Sequence, residues 1–177
     1  MQPYIPTTTD FYNDLIVPAH RGQKYGNRSY TSHLREVLNV WGNMFEPQSD
    51  FEQVGQTDLD KEIQWVDNAA FACLGHDYLE DCKDASLTAL RKHGCPEEAI
   101  HAIVLVTKPI EGYNYKQYLR GIVGNQLAFE VKVADSYANM TCSIKDGNFK
   151  RVQRYSKQIN LLYNYREQFL DKLNKGE

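Results

Sequence analysis

Ala70-Phe71-Ala72-Cys73-Leu74-Gly75-His76-Asp77-Tyr78-Leu79-Glu80-Asp81 runs from an apolar stretch into an adjacent His-Asp pair and then a second acidic pair. Read as the end of one helix, this spacing puts His76 beside Glu80, and Asp77 beside both Glu80 and Asp81, because residues three and four apart share a face. Three carboxylates beside one imidazole repel one another unless a proton or cation intervenes, and a divalent metal is the simplest remedy. The rest of the chain is therefore read for what completes this site.

Upstream, Thr9-Asp10 can cap a helix through Phe11, Leu15, Ile16 and Ala19 that frays near Gly22, and residues 1–8 read as a possible arm. Gly22 to Asn27 reads as a polar loop. Ser29 then caps a helix with Leu34, Val37, Leu38, Trp41 and Phe45 on its apolar stripe and His33 in its first turns. Pro47 to Gln56 is a polar connection, after which Asp58 opens the helix carrying Ile63, Val66, Ala69, Ala70 and Cys73 towards His76.

Downstream, Ser86 caps a short helix that Gly94 ends. Pro96, at a first helical position, starts another through Ile100, Ile103, Val104 and Val106, stopped by Pro109. Its Ile-Val-Leu-Val run resembles a strand, but capping and 3.6-residue spacing favour a helix. Tyr113 to Asn125 and Gln126 to Asn139 read as two further helices. Asn148 caps a long last helix from Phe149 to about Leu173, packing through Val152, Ile159, Leu162, Tyr163, Phe169 and Leu173. The expected fold is an all-α, single-domain bundle over residues 1–177.

Composition narrows the function classes. The 177 residues are 42% hydrophobic, enough for one substantial core, and the formal charge of −3 disfavours a general grip on nucleic acid. No apolar run approaches the roughly 20 residues of a membrane span. The chain thus reads as soluble and cytoplasmic, with neither membrane nor nucleic acid as partner. Cys73, Cys82, Cys95 and Cys142 lack CxxC spacing and read as reduced structural thiols.

Two residues can complete the site. Asp135 sits in the apolar run Val131-Lys132-Val133-Ala134-Asp135, where a carboxylate needs a partner; a salt bridge to Lys132 or a solvent-facing position are its plainer readings. His33 taken singly is an ordinary helix histidine. Taken together, His33, His76, Asp77 and Asp135 offer mixed nitrogen and oxygen ligands suited to Mn, Fe or Zn, with positions left for water or a phosphate oxygen.

Three motifs in order carry a resemblance. Ala19-His20-Arg21-Gly22-Gln23 with Tyr30-Thr31-Ser32-His33, then His76-Asp77-x-x-Glu80-Asp81, then Val131 to Asp135 with Asn139-Met140, together resemble the hydrolase domain of the RelA/SpoT alarmone enzymes, within the HD-domain phosphohydrolases. The similarity runs from Ala19 to about Tyr155 and is closest to the small stand-alone hydrolases. It implies an HD-type helical bundle with a Mn²⁺ site of His33, His76, Asp77 and Asp135, and with Glu80 and Asp81 positioning and deprotonating the attacking water. By the same resemblance, Lys24, Tyr30 and Asn139 line a nucleotide pocket, Arg151 and Tyr155 bind phosphate, and His20 anchors its helix.

The implied reaction removes the 3′-pyrophosphate of guanosine tetra- or pentaphosphate, giving GDP or GTP and pyrophosphate. Where the family usually has an arginine before Tyr30 the chain offers Lys24 and Arg28, and where it commonly has an arginine after Asp135 the chain has Ser136. Those departures keep open a phosphohydrolase of another nucleotide, such as NADPH. A catalytically silent nucleotide-binding module is a third reading, and retention of both Glu80 and Asp81 argues against it.

Overall fold

A computed structural model describes residues 6–45, 56–109, 112 and 114–176. Among the described residues the fold is all-α, as expected, apart from one hairpin of two-residue strands. Helix α1 (Thr8–Phe11) leads through a π-helical turn (Tyr12–Ile16) into α2 (Val17–Ala19). Thr7, rather than Thr9-Asp10, is the cap: its hydroxyl accepts from the Asp10 N–H at 3.2 Å while the Asp10 carboxylate accepts from the Thr7 N–H at 2.8 Å. The wide turn hands the Val17 N–H to Tyr12 O, just before Pro18 removes a donor from the ladder. The expected arm is partly anchored, because Pro6 lies against Gly94, whose φ of 79° and close approach to Pro6 leave no room for a side chain.

The expected loop at 22–27 is instead partly a hairpin. Strands β1 (Lys24–Tyr25) and β2 (Arg28–Ser29) pair antiparallel with Lys24 opposite Ser29, and Gly26 supplies the left-handed conformation at the turn. Ser29 therefore belongs to a strand, and α3 (Tyr30–Phe45) starts at the next residue with Leu34, Val37 and Trp41 buried at helical spacing. The expected polar connection lies outside the described residues but for Gln56, which begins α4 (Gln56–Gly75).

Only the second half of α4 is buried; Ile63, expected inside, is 53% exposed. Helix α4 stops at Gly75, where a side chain would collide with Ile103 and Phe11. His76 and Asp77 form the turn into α5 (Tyr78–Asp81). The pair thus stands between two helices and not inside one, so the expected His76–Glu80 pairing by helical spacing does not hold.

Beyond α5, the cap residues named from sequence are found in place. Ser86 accepts from the Ala89 N–H ahead of α6 (Leu87–Lys92), and Pro96, expected at the first helical position, stands one residue ahead of α7 (Glu97–Val106), which is helix and not strand. Val104 faces out at 43% exposure. Asn114 caps α8 (Tyr115–Ile122), shorter than expected because Asn125 already caps α9 (Gln126–Lys145). Helix α9 continues past Asn139 to Lys145. Asn148 caps α10 (Phe149–Lys175), which ends at Gly176 with φ 73°.

Helix α9 is the axis of the bundle, packed against α3, α4, α7, α8 and α10. Leu127 to Ser136 is buried without interruption, as befits a helix covered on all sides. On α10 the buried residues are Gln158, Leu162 and Tyr165, so the packing stripe is rotated from the expected one: Tyr163 and Leu173 are exposed. Gln158 tolerates burial because its amide is paired to Ser136 Oγ and Tyr115 Oη. The buried apolar residues form one core. Among the described residues, no helix is long and apolar enough to cross a membrane.

Candidate functional site

Helices α3, α5, α8, α9 and α10, with the turn after α4, line a cavity of about 380 Å³. Trp41 Nε1 donates to Glu130 Oε2 at 2.9 Å, which fixes α3 against α9 two turns from His33. Burial pushes the Glu130 carboxyl up, and the donors from Gln126 and Trp41 partly offset it. The α4–α5 turn then presents His76 and Asp77 to His33 and Asp135.

His33, His76 and Asp77 each offer a ligand atom, all within 4.8 Å of one another. Asp135 Oδ1 lies 3.3 Å from His33 Nε2 and 3.7 Å from His76 Nε2. His76 Nδ1 is 2.8 Å from the Cys73 carbonyl, which selects the tautomer whose Nε2 lone pair faces the cluster. That Nε2 is buried and, among the described residues, makes no hydrogen bond of good geometry, though it stands 3.0 Å from Asp77 Oδ2. A buried imidazole nitrogen aimed at carboxylate oxygens without a hydrogen bond fits a metal ligand set. Mixed imidazole and carboxylate donors suit Mn, Fe or Zn.

The electrostatics point the same way. Burial disfavours charge on His76, yet Asp77 and Asp135 outweigh it and push the imidazole up to about 10. Burial would raise Asp77, but the His76 charge dominates and holds it well below the usual carboxylate range. Asp135 is likewise depressed against its own burial, chiefly by Lys132, whose Nζ donates to Asp135 Oδ2 at 3.0 Å. Without a metal, these carboxylates are neutralised by protons on neighbouring bases. A divalent cation would replace such a proton.

Tyr30, His33, Asp77, Glu80, Asp81, Asp135, Asn139 and Tyr155 line the cavity, with His76 buried behind. Tyr30 Oη is 2.7 Å from both Asp77 Oδ2 and Asp81 Oδ2, linking a ligand carboxylate to the expected base. Burial and the two carboxylates push its phenol up. Its ring stacks on His20 at 4.9 Å, and His20 Nδ1 meets Gln23 Oε1 at 2.8 Å, so His20 supports the site without joining the ligand group. Asn139 donates to Asp135 Oδ1 at 2.5 Å and accepts from Tyr25 Oη at 2.9 Å, orienting the ligand carboxylate.

Two expected lining residues are not brought in. Lys24 is exposed on β1; successive strand residues face opposite ways, and Tyr25 turns inward to stack on His33 at 4.4 Å. Arg151 flanks Tyr155 with its guanidinium 5.8 Å from the ring, but Arg154 is the arginine that reaches the cavity, donating to Tyr155 Oη at 2.6 Å. Glu80 is held by Lys108, at 2.5 Å to Nζ.

Tyr25, Lys108, Tyr115, Arg154 and Gln158 also line the cavity, none of them among the expected site residues. Lys132 was expected only as a partner for Asp135, and the lysine in an apolar run was the signal. Lys108 carries no such signal, since it follows α7 in a connection. Compared with known proteins, the chain matches no family model and no curated protein.

Proposed function

We propose that this protein is a divalent-metal-dependent phosphohydrolase of a nucleotide, with the 3′-pyrophosphate of guanosine tetra- or pentaphosphate as its substrate. The reading rests on one cavity lined both by the imidazole and carboxylates of His33, Asp77 and Asp135 and by the cations Lys108, Lys132 and Arg154. Such a cavity suits an anion that must meet a cation-bound nucleophile. The resemblance of the three motifs to alarmone hydrolases supplies the choice of nucleotide.

His33, His76, Asp77 and Asp135 would hold Mn²⁺, which when bound acidifies water and neutralises phosphate charge. Hydrolysis places a water oxygen on the phosphorus attached to O3′ and breaks that O3′–P bond. Asp81 accepts the water's proton, and the departing ribose oxygen takes up a proton from solvent. Tyr30 holds Asp81 at 2.7 Å, while Asn139 and Lys132 keep Asp135 oriented. Tyr25 and Tyr155 give the base and sugar flat surfaces to stack on.

A second reading, hydrolysis of another nucleotide such as NADPH, draws on two observations: Lys24 stands outside the cavity, and buried Ser136 is tied to Gln158. A nucleotide panel assayed with Mn²⁺ for phosphate against pyrophosphate separates them. Pyrophosphate from guanosine tetraphosphate supports the first; phosphate from NADPH with an intact alarmone supports the second; no turnover on any nucleotide refutes both.

A further inference from the structure

Of the cations in the cavity wall, Lys108 has a partner that can be exchanged. Lys132 is bound to Asp135 with both side chains under a tenth exposed, a pair that cannot be opened without stranding a buried charge. Lys108 instead holds Glu80 at the cavity mouth, with side-chain exposures of 45% and 26%. An ion pair this wet is worth little and is readily traded. Its geometry is nonetheless specific: Nζ meets Glu80 Oε1 at 2.5 Å, and the Lys108 backbone N–H donates to Oε2 at 3.2 Å. Pro109 restricts Lys108 to extended backbone conformations, so the side chain is the part free to move.

We propose that Lys108 and Glu80 form a clasp that a substrate phosphate opens. In the free protein Lys108 holds Glu80 against the rim. An entering phosphate takes Lys108 as its counter-ion, and Glu80 is released towards the water that attacks. The clasp rests on the phosphohydrolase reading, and it makes Lys108 a phosphate-binding residue that positions Glu80.

The test is a double-substitution cycle on the full Mn²⁺-loaded chain, with inorganic phosphate as the probe and its binding followed by calorimetry. Glu80→Gln frees Lys108 and is expected to tighten phosphate binding by about threefold to tenfold. In a Lys108→Met background the same Glu80→Gln change is expected to alter binding by less than about twofold. Asp81→Asn removes an equal charge from the same cavity without touching Lys108, and its effect is expected to be the same in both backgrounds. Equal tightening by Glu80→Gln with and without Lys108 overturns the clasp and leaves the phosphohydrolase reading standing. Absence of phosphate binding in every protein of the cycle overturns that reading, and the clasp with it.

Discussion

Lys132→Met tests the buried pair that orients the candidate metal ligand Asp135. The two side chains are 7% and 9% exposed and 3.0 Å apart, so the substitution leaves a carboxylate in the interior without its nearest cation. Breaking a buried pair by removing one partner costs about 3–5 kcal/mol. Asn139 at 2.5 Å and His33 at 3.3 Å still meet Asp135 Oδ1, which places the loss at the lower end, about 3 kcal/mol. For a chain of this size that is a fall in Tm of roughly 6–12 °C. The assay is thermal and urea unfolding of metal-free protein at neutral pH, followed by the same measurement with Mn²⁺.

The pH dependence gives the prediction its sign. Asp135 is depressed in the folded protein, so its stabilisation is full above the unfolded carboxylate value and is lost as pH falls through the folded one. Without Lys132 less of that stabilisation exists to lose. The gap between wild type and variant should therefore narrow progressively in acid. Mn²⁺ should recover part of the loss at neutral pH. A metal-free loss below about 1 kcal/mol, or a gap that widens in acid, refutes the reasoning.

Tyr30→Phe removes the phenol shared by Asp77 and Asp81, and kcat is expected to fall roughly tenfold with little change in KM, checked by steady-state kinetics on the best substrate. Mn²⁺ binding should release protons because His76, raised to about 10, is charged at neutral pH without metal. Calorimetry in buffers of different ionisation enthalpy measures that release, and apparent affinity should rise with pH up to about 10. Trp41→Phe removes a donor to buried Glu130 and should cost about 1–3 kcal/mol in urea unfolding.

The helices were legible because their punctuation is local. Ser86 and Asn148 cap where the sequence offers a side-chain acceptor three residues before a free N–H, and Gly94 ends α6 for a reason of backbone conformation. What stayed hidden depends on distant contacts. The need for glycine at the last position of α4 is set by Phe11 and Ile103 crowding Gly75, which no pattern within α4 encodes. The buried face of α10 includes a glutamine paired across to Ser136, where an apolar stripe was expected.

The candidate site divides along the same line. His33, His76, Asp77 and Asp135 were readable as chemistry-bearing residues within apolar surroundings, and the fold brings their side chains together. Helical spacing puts Glu80 beside His76, but the turn between α4 and α5 breaks that spacing, and the pairing of Glu80 with Lys108 has no sign in the sequence. Lys24 and Tyr25 were exchanged because a two-residue strand leaves the inward side chain undecided until the hairpin register is known.

The most direct test is an anomalous diffraction map, recorded at the manganese edge, from crystals of protein loaded with one equivalent of Mn²⁺. One peak is expected, bounded by His33, His76, Asp77 and Asp135 and lost in His76→Ala. A peak elsewhere, or protein that takes up no Mn²⁺ at neutral pH while remaining folded, would contradict that expectation.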